Sequence, residues 1–200
     1  MWSLQVHVIL FSLNLPSSFD LFCLHAALPP NRFLFEPEFA WVGGGMDTAK
    51  TLYYKRSRFV THLPLDYLYS PSHFWAARHE GDLWRIGLTK FATRMLGEMV
   101  DCGFEVALVT RVDSGQVIGW VEGFMAISDV FCIADGNFAG ANPVLKEKIT
   151  LMNKDPYGAG WLYTVKGKPD AKCVDVHAYK AILDKTIDKI LEKQKGDEIK

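Results

Sequence analysis

Apolar and polar positions alternate through the middle of the chain in short runs broken by turn residues, the pattern of half-buried β-strands. Phe74-Trp75-Ala76-Ala77-Arg78 and Leu83-Trp84-Arg85-Ile86-Gly87-Leu88 are strand-like and joined across His79-Glu80-Gly81-Asp82. Met99-Val100, Val106-Ala107-Leu108-Val109, Val117-Ile118-Gly119-Trp120-Val121, Val130-Phe131-Cys132-Ile133 and Trp161-Leu162-Tyr163-Thr164-Val165 continue the series. Asp113-Ser114-Gly115, Asp135-Gly136 and Asp155-Pro156-Tyr157-Gly158 read as turns, because glycine takes positive φ without steric cost. Thr89 caps a short predicted helix with Phe91, Ala92, Met95 and Leu96 on one face and Gly97 at its end. Asn142-Pro143 begins another, a cap followed by proline at the first helical position, running to about Ile149.

The period changes near the C-terminus. Val176, Tyr179, Ile182, Leu183, Ile187, Ile190 and Leu191 fall on one helical stripe. Asp175 lies at its start and Lys189, Lys193 and Lys195 at its end, the polarity the helix dipole favours. A docked terminal helix is expected, followed by a disordered charged tail at 193–200. Before the strands, 46–72 reads as an irregular lead-in, since Leu63-Pro64-Leu65 and Ser70-Pro71-Ser72 break any helix.

Residues 1–45 differ from the rest. They contain one basic residue, Arg32, no lysine, and much Leu, Phe and Pro. Asn14, Pro16, Asp20 and His25 interrupt the apolar runs, so no window approaches the roughly 18 apolar residues of a membrane-spanning helix. A secretory signal wants positive charge ahead of its apolar region, and Met1 to Leu15 has none. The expectation is that translation begins at Met46, with 1–45 either not translated or poorly ordered.

A net charge of −1 and 22% charged residues give no long-range pull on nucleic acid or an anionic membrane, so neither is expected as a partner. The four cysteines, Cys23, Cys102, Cys132 and Cys173, stand far apart with no C-x-x-C pair, which suits reduced thiols in the cytoplasm. No metal site is expected: even with His73 and His79 meeting across adjacent strands, two histidines alone rarely hold a metal. His73, His79 and His177 have no Asp and Ser partners at motif spacing, and no G-x-S-x-G elbow is present. Gly43-Gly44-Gly45 lacks the lysine of a phosphate loop. Trp75, Trp84, Trp120 and Trp161 lack interleaved basic residues and read as core rather than as a stacking platform.

The most telling segment is Val121-Glu122-Gly123-Phe124-Met125-Ala126-Ile127-Ser128-Asp129, a strand–turn–strand signal. It resembles the lipoyl-bearing hairpin of the glycine cleavage system H-protein family, whose pattern reads Glu-Ser-Val-Lys-Ala with Ser-Asp following. Other motifs fall in register with it: His73-Phe74-Trp75, Ile86-Gly87-Leu88-Thr89, Leu96-Gly97-Glu98, Gly115-Gln116, Asp135-Gly136, Asn142, and Asn153-Lys154-Asp155-Pro156-Tyr157-Gly158 with Gly160-Trp161-Leu162. The resemblance covers about Ser72 to Ile190 and implies a mainly β fold, a barrel-sandwich hybrid of two facing sheets with short helices and a C-terminal helix, occupying 73–192. It implies a carrier, not an enzyme, that shuttles an aminomethyl group on a lipoyl arm between glycine decarboxylase, an aminomethyltransferase and dihydrolipoamide dehydrogenase after a lipoyl ligase has loaded it.

The sequence departs from that pattern in three places. Gly123-Phe124 replaces Ser-Val, and the stretch from Cys102 to Asp113 lacks the family's Leu-Pro and is one residue longer. Met125 stands where the lipoyl lysine belongs, flanked by Glu122, Ala126 and Asp129, and no lysine lies between Lys90 and Lys146. Lipoate is joined through an amide, which needs an amine, so the cofactor is expected to be absent. Two readings stay open: a paralogue kept as a binding or regulatory module, or an ordinary carrier whose lysine codon changed to methionine by one base.

Overall fold

The structure is a computed structural model that describes residues 50–198. The expectations for 1–45 and for a start at Met46 lie outside the described residues.

Two antiparallel sheets face each other across a common core, and a third layer covers the back of the larger one. The strands are β1 (Thr51–Arg56), β2 (Phe59–Pro64), β3 (Leu68–Tyr69), β4 (Phe74–Glu80), β5 (Leu83–Leu88), β6 (Met99–Phe104), β7 (Arg111–Val112), β8 (Val117–Gly123), β9 (Ile127–Phe131), β10 (Ala134–Ala141) and β11 (Tyr163–Pro169). The helices are α1 (Lys90–Leu96), α2 (Leu151–Lys154) and α3 (Val176–Glu198). The larger sheet runs β3-β4-β5-β11-β10-β7, the smaller β6-β8-β9, and β1-β2 form a separate hairpin.

Alternation along β4 shows how one strand serves two cores. Phe74 and Ala76 point into the space between the sheets, with Ile86, Leu88, Ile118, Val121, Val130 and Val165. Trp75 and Ala77 point the other way, onto Tyr54, Tyr69, Phe91, Tyr179 and Leu183. Both faces of the large sheet are therefore covered, and α3 docks through the predicted stripe: Val176, Tyr179, Leu183 and Ile187 are buried. Asp175 caps this helix by accepting from the Ala178 N–H at 2.8 Å. Thr89 caps α1 as expected, accepting from Ala92 N, and Gly97 ends it at φ +86°.

Several expectations are corrected. The lead-in is not irregular: Thr51–Arg56 and Phe59–Pro64 pair antiparallel around Ser57-Arg58. That turn lacks a glycine or asparagine signal; Ser57 itself takes φ 52°. Asp135-Gly136 is not a turn but the start of β10, paired with Lys168 and Gly167. Gly136 and Gly167 are there because a Cβ on either would run into the partner strand's backbone carbonyl. Val106–Val109 forms a loop instead of a strand, with Val109 at φ 63°. The Asn142-Pro143 start holds only a 3-10 turn, Pro143–Lys146, although Asn142 does cap it. Met95 is 51% exposed, and Thr93 takes the buried place on α1 instead. The stretch from 193 is helical as far as Glu198, since α3 continues without a break.

Candidate functional site

The hairpin between β8 and β9 closes on the pair Gly123 and Ala126, whose backbones exchange N–H···O bonds of 2.9 and 3.3 Å. Phe124 and Met125 are thus the two loop residues. Two-residue hairpins favour positive φ, usually with glycine or asparagine. Neither loop residue has it here, so the bend needs support from outside.

That support is the link between α1 and β6. The Met125 N–H donates to Leu96 O at 2.9 Å and the Phe124 N–H to Glu98 O at 2.8 Å. Gly123 permits the approach: a Cβ there would overlap Leu96 O and sit 2.8 Å from its carbonyl carbon. The link is itself clamped by Asn153 in α2, whose side chain donates to Gly97 O at 2.9 Å and accepts from Met99 N at 2.8 Å. The Lys90 ammonium then donates to Asn153 O. Three pieces of chain distant in sequence therefore hold one bend.

The bend carries its side chains outward. Phe124 is 82% exposed, Met125 71% and Ile127 56%. Glu122 opposes Ile127 and Asp129 opposes Trp120, so both acids lie on the outer face of the small sheet, away from inward-facing Val121. Neither acid joins an ion pair among the described residues. Ala126 is half-buried against the closing pair. The tip is an apolar point with an acidic flank.

The remaining candidates do not converge on it. His73 immediately precedes β4 and His79 lies within it, so they do not face each other across adjacent strands. His73 is buried at φ 66°, its Nδ1 2.9 Å from the Tyr179 hydroxyl. Burial pushes its pKa down to about 4. His79 is exposed and meets Arg85 Nη2 at 3.1 Å, while His177 is exposed on α3. Among the described residues no group of His, Cys, Asp or Glu is arranged to hold a metal ion. Trp84 lies in the core between the sheets and Trp75 and Trp161 in the second core, whereas Trp120 is half-buried on the outer face. Burial pushes the Cys102 and Cys173 thiols up to about 11, so they are poor nucleophiles.

The sequence pointed to the tip but not to its brace. Gly97 reads as a helix end and Asn153 as the first residue of a family-motif run; their meeting is a tertiary fact. The residues at the tip do not fit a lipoyl group. A thioether has no N–H to acylate, and no other residue of the 122–129 segment is a lysine.

Facing antiparallel sheets that project a braced, solvent-exposed bend define a two-sheet β domain built to present one hairpin. The profile of the family described as Glycine cleavage H-protein matches residues 67–188. Similar relatives include the glycine cleavage system H protein of Corynebacterium jeikeium (strain K411), 36% identical over 126 residues, spanning 61% of this chain and 98% of that protein. The Bacteroides fragilis H protein is 35% identical over 125 residues, spanning 61% of this chain and 98% of its own length. A crystal structure of an H protein from Mycobacterium marinum matches with a TM-score of 0.54 at 27% identity, covering 60% of this chain and 97% of that one. The chain belongs to the glycine cleavage H-protein family, whose members are lipoyl carriers and not catalytic enzymes.

Proposed function

We propose that this chain is an H-protein-like carrier component of glycine cleavage whose hairpin holds the family's lipoyl position at Met125. As written it bears no lipoyl group and moves no aminomethyl unit. One observation carries this reading: residue 125 crowns a braced bend, 71% exposed between the flanking acids Glu122 and Asp129, and offers a thioether where an amine is required. In the same reading the two facing sheets are the halves of a barrel-sandwich hybrid. The cytoplasm is its compartment, in keeping with free Cys102, Cys132 and Cys173.

The test is to express the full chain and Met125→Lys, each with a lipoyl ligase, and weigh both intact. Lipoyl mass on the lysine variant alone is expected. Lipoylation of the unaltered chain, or of neither, would remove residue 125 from the role.

A second reading is a non-lipoylated binding or regulatory module that docks on lipoyl-handling enzymes. The exposed, rigidly held Phe124, Met125 and Ile127 favour it, because large apolar side chains presented together commonly mark a contact surface. Its partners, by family resemblance, are glycine decarboxylase, the aminomethyltransferase, dihydrolipoamide dehydrogenase and the lipoyl ligase. Capture of purified glycine decarboxylase by the unaltered chain, lost in Phe124→Asp, is the expected result; no capture would leave an inert copy.

A further inference from the structure

The outer face of the large sheet holds a cavity of about 160 Å³ that takes no part in the hairpin, lined by Tyr67, Trp75, Ala77, Arg85, Tyr157 and Gly158 among others. Its walls are aromatic. The Tyr67 ring lies 5.0 Å from Trp75, and the Trp75 ring 6.3 Å from Tyr157. These rings are held in place: Tyr67 donates to Tyr157 O at 2.8 Å, and the Trp75 indole N–H to Pro156 O at 2.9 Å.

Its polar lining is Arg78, His79 and Arg85; Arg78 lies over the Trp84 ring at 4.9 Å, and Arg85 stands directly across from Ala77 in the β4–β5 register. The guanidinium is positioned over the Trp161 ring at 5.4 Å and donates from Nη2 to His79 Nε2 at 3.1 Å. Arg85 has no acidic partner: the ion pairs among the described residues belong to Arg56 and Arg111. Its Nε is buried with no hydrogen-bond partner. The acid in the neighbouring turn, Asp155, is engaged by the Ala159 N–H at 2.7 Å. Arg85 has no acidic side chain to pair with, and a carboxylate is the group whose geometry matches the guanidinium fork.

We propose that this cavity is a binding site for a small aromatic carboxylate, its ring against the wall formed by Tyr67, Trp75 and Tyr157 and its carboxylate on Arg85. Size supports the ring: an apolar cavity of roughly 150 Å³ accommodates benzene, so the space suits one six-membered ring. Aromatic walls favour a planar body through offset stacking and edge contacts.

The probes are benzoate, its neutral counterpart benzamide, and inorganic phosphate, each titrated into the full chain while two-dimensional NMR follows the Trp75 indole N–H and the Gly158 amide. Saturable benzoate shifts at both, with benzamide and phosphate each about ten-fold weaker or more, are expected. Arg85→Gln should lower benzoate affinity about ten-fold with the folded spectrum retained. Arg85→Lys, which keeps the charge but not the fork, should lower it by a smaller factor and serves if the glutamine variant does not fold. Equal binding of benzoate and benzamide, benzoate affinity unchanged in both Arg85 variants, or no saturable shift would overturn the site. Phosphate binding more tightly than benzoate would overturn the aromatic carboxylate as its ligand.

Discussion

Gly123→Ala isolates the brace beneath the hairpin tip. Gly123 does not occupy the positive-φ region, so the added methyl brings no backbone strain of its own. What it meets is backbone: Leu96 O and, at 2.8 Å, the Leu96 carbonyl carbon. Neither can swing aside as a side chain would. The Leu96 segment must therefore retreat, taking with it the acceptor of the Met125 N–H and, through Glu98, that of the Phe124 N–H. Two net backbone hydrogen bonds are worth about 1 kcal/mol each. Forcing a methyl into a filled space adds about 1–3 kcal/mol. The sum, about 3–5 kcal/mol, corresponds to a Tm lowered by roughly 6–20 °C for a domain of this size. Thermal unfolding by circular dichroism measures it, with hydrogen exchange at Phe124 and Met125 as the local readout. Gly115→Ala is the control, since it has φ +89° but nothing within 4 Å of the added Cβ, and there both amides should stay protected. A Gly123→Ala protein with unaltered Tm and slow exchange at both amides would refute the brace.

Three further outcomes follow from the second core. Tyr179→Phe removes the hydroxyl that donates to Thr89 Oγ1 at 3.1 Å and meets His73 Nδ1 at 2.9 Å, leaving buried polar atoms unmatched; a loss of about 1–3 kcal/mol is expected in urea unfolding. Because the His73 pKa is held down at about 4 by burial, the unfolded chain takes the proton first. Its contribution is present above the ordinary value of about 6.5 and is lost as pH falls toward 4. About 2 kcal/mol should disappear between pH 7 and pH 5, with the ring itself still neutral at pH 5 by NMR; a ring titrating near 6.5 would contradict this. Arg56 bridges Asp184 at 3.1 Å and Asp188 at 2.5 Å, tying the β1–β2 hairpin to α3. As that side chain is 38% exposed, Arg56→Ala should lower stability only slightly, less at high salt, with faster exchange in β1.

Reading the chain from its residues succeeded where the signal was local. The α1 cap at Thr89, the stop at Gly97 and the stripe of α3 depend on neighbours within a turn or two, and each sits where the pattern put it. The hairpin around Met125 was legible for the same reason, as were the strands β4, β5 and β8. Where it failed, the deciding partner was remote. Asp135-Gly136 has the chemistry of a turn, but β11 runs across it and uses the missing Cβ for close approach. Val106–Val109 has the composition of a strand, yet the chain departs from β8 there and Val109 bonds back to Phe138 O at 2.8 Å. The β1–β2 hairpin had no turn signature and gains its stability from packing onto Tyr69, Phe91 and α3.

The sequence by itself determined what chemistry residue 125 can offer. Side-chain identity is covalent, and no fold supplies an amine to a methionine. Only the tertiary structure decided that this side chain stands outward on a bend without a turn-forming residue. The donors that hold the bend are its own two amides, but their acceptors at Leu96 and Glu98 lie on another element, clamped by Asn153 from a third. Contacts between segments so far apart leave no periodicity for a one-dimensional pattern to reveal.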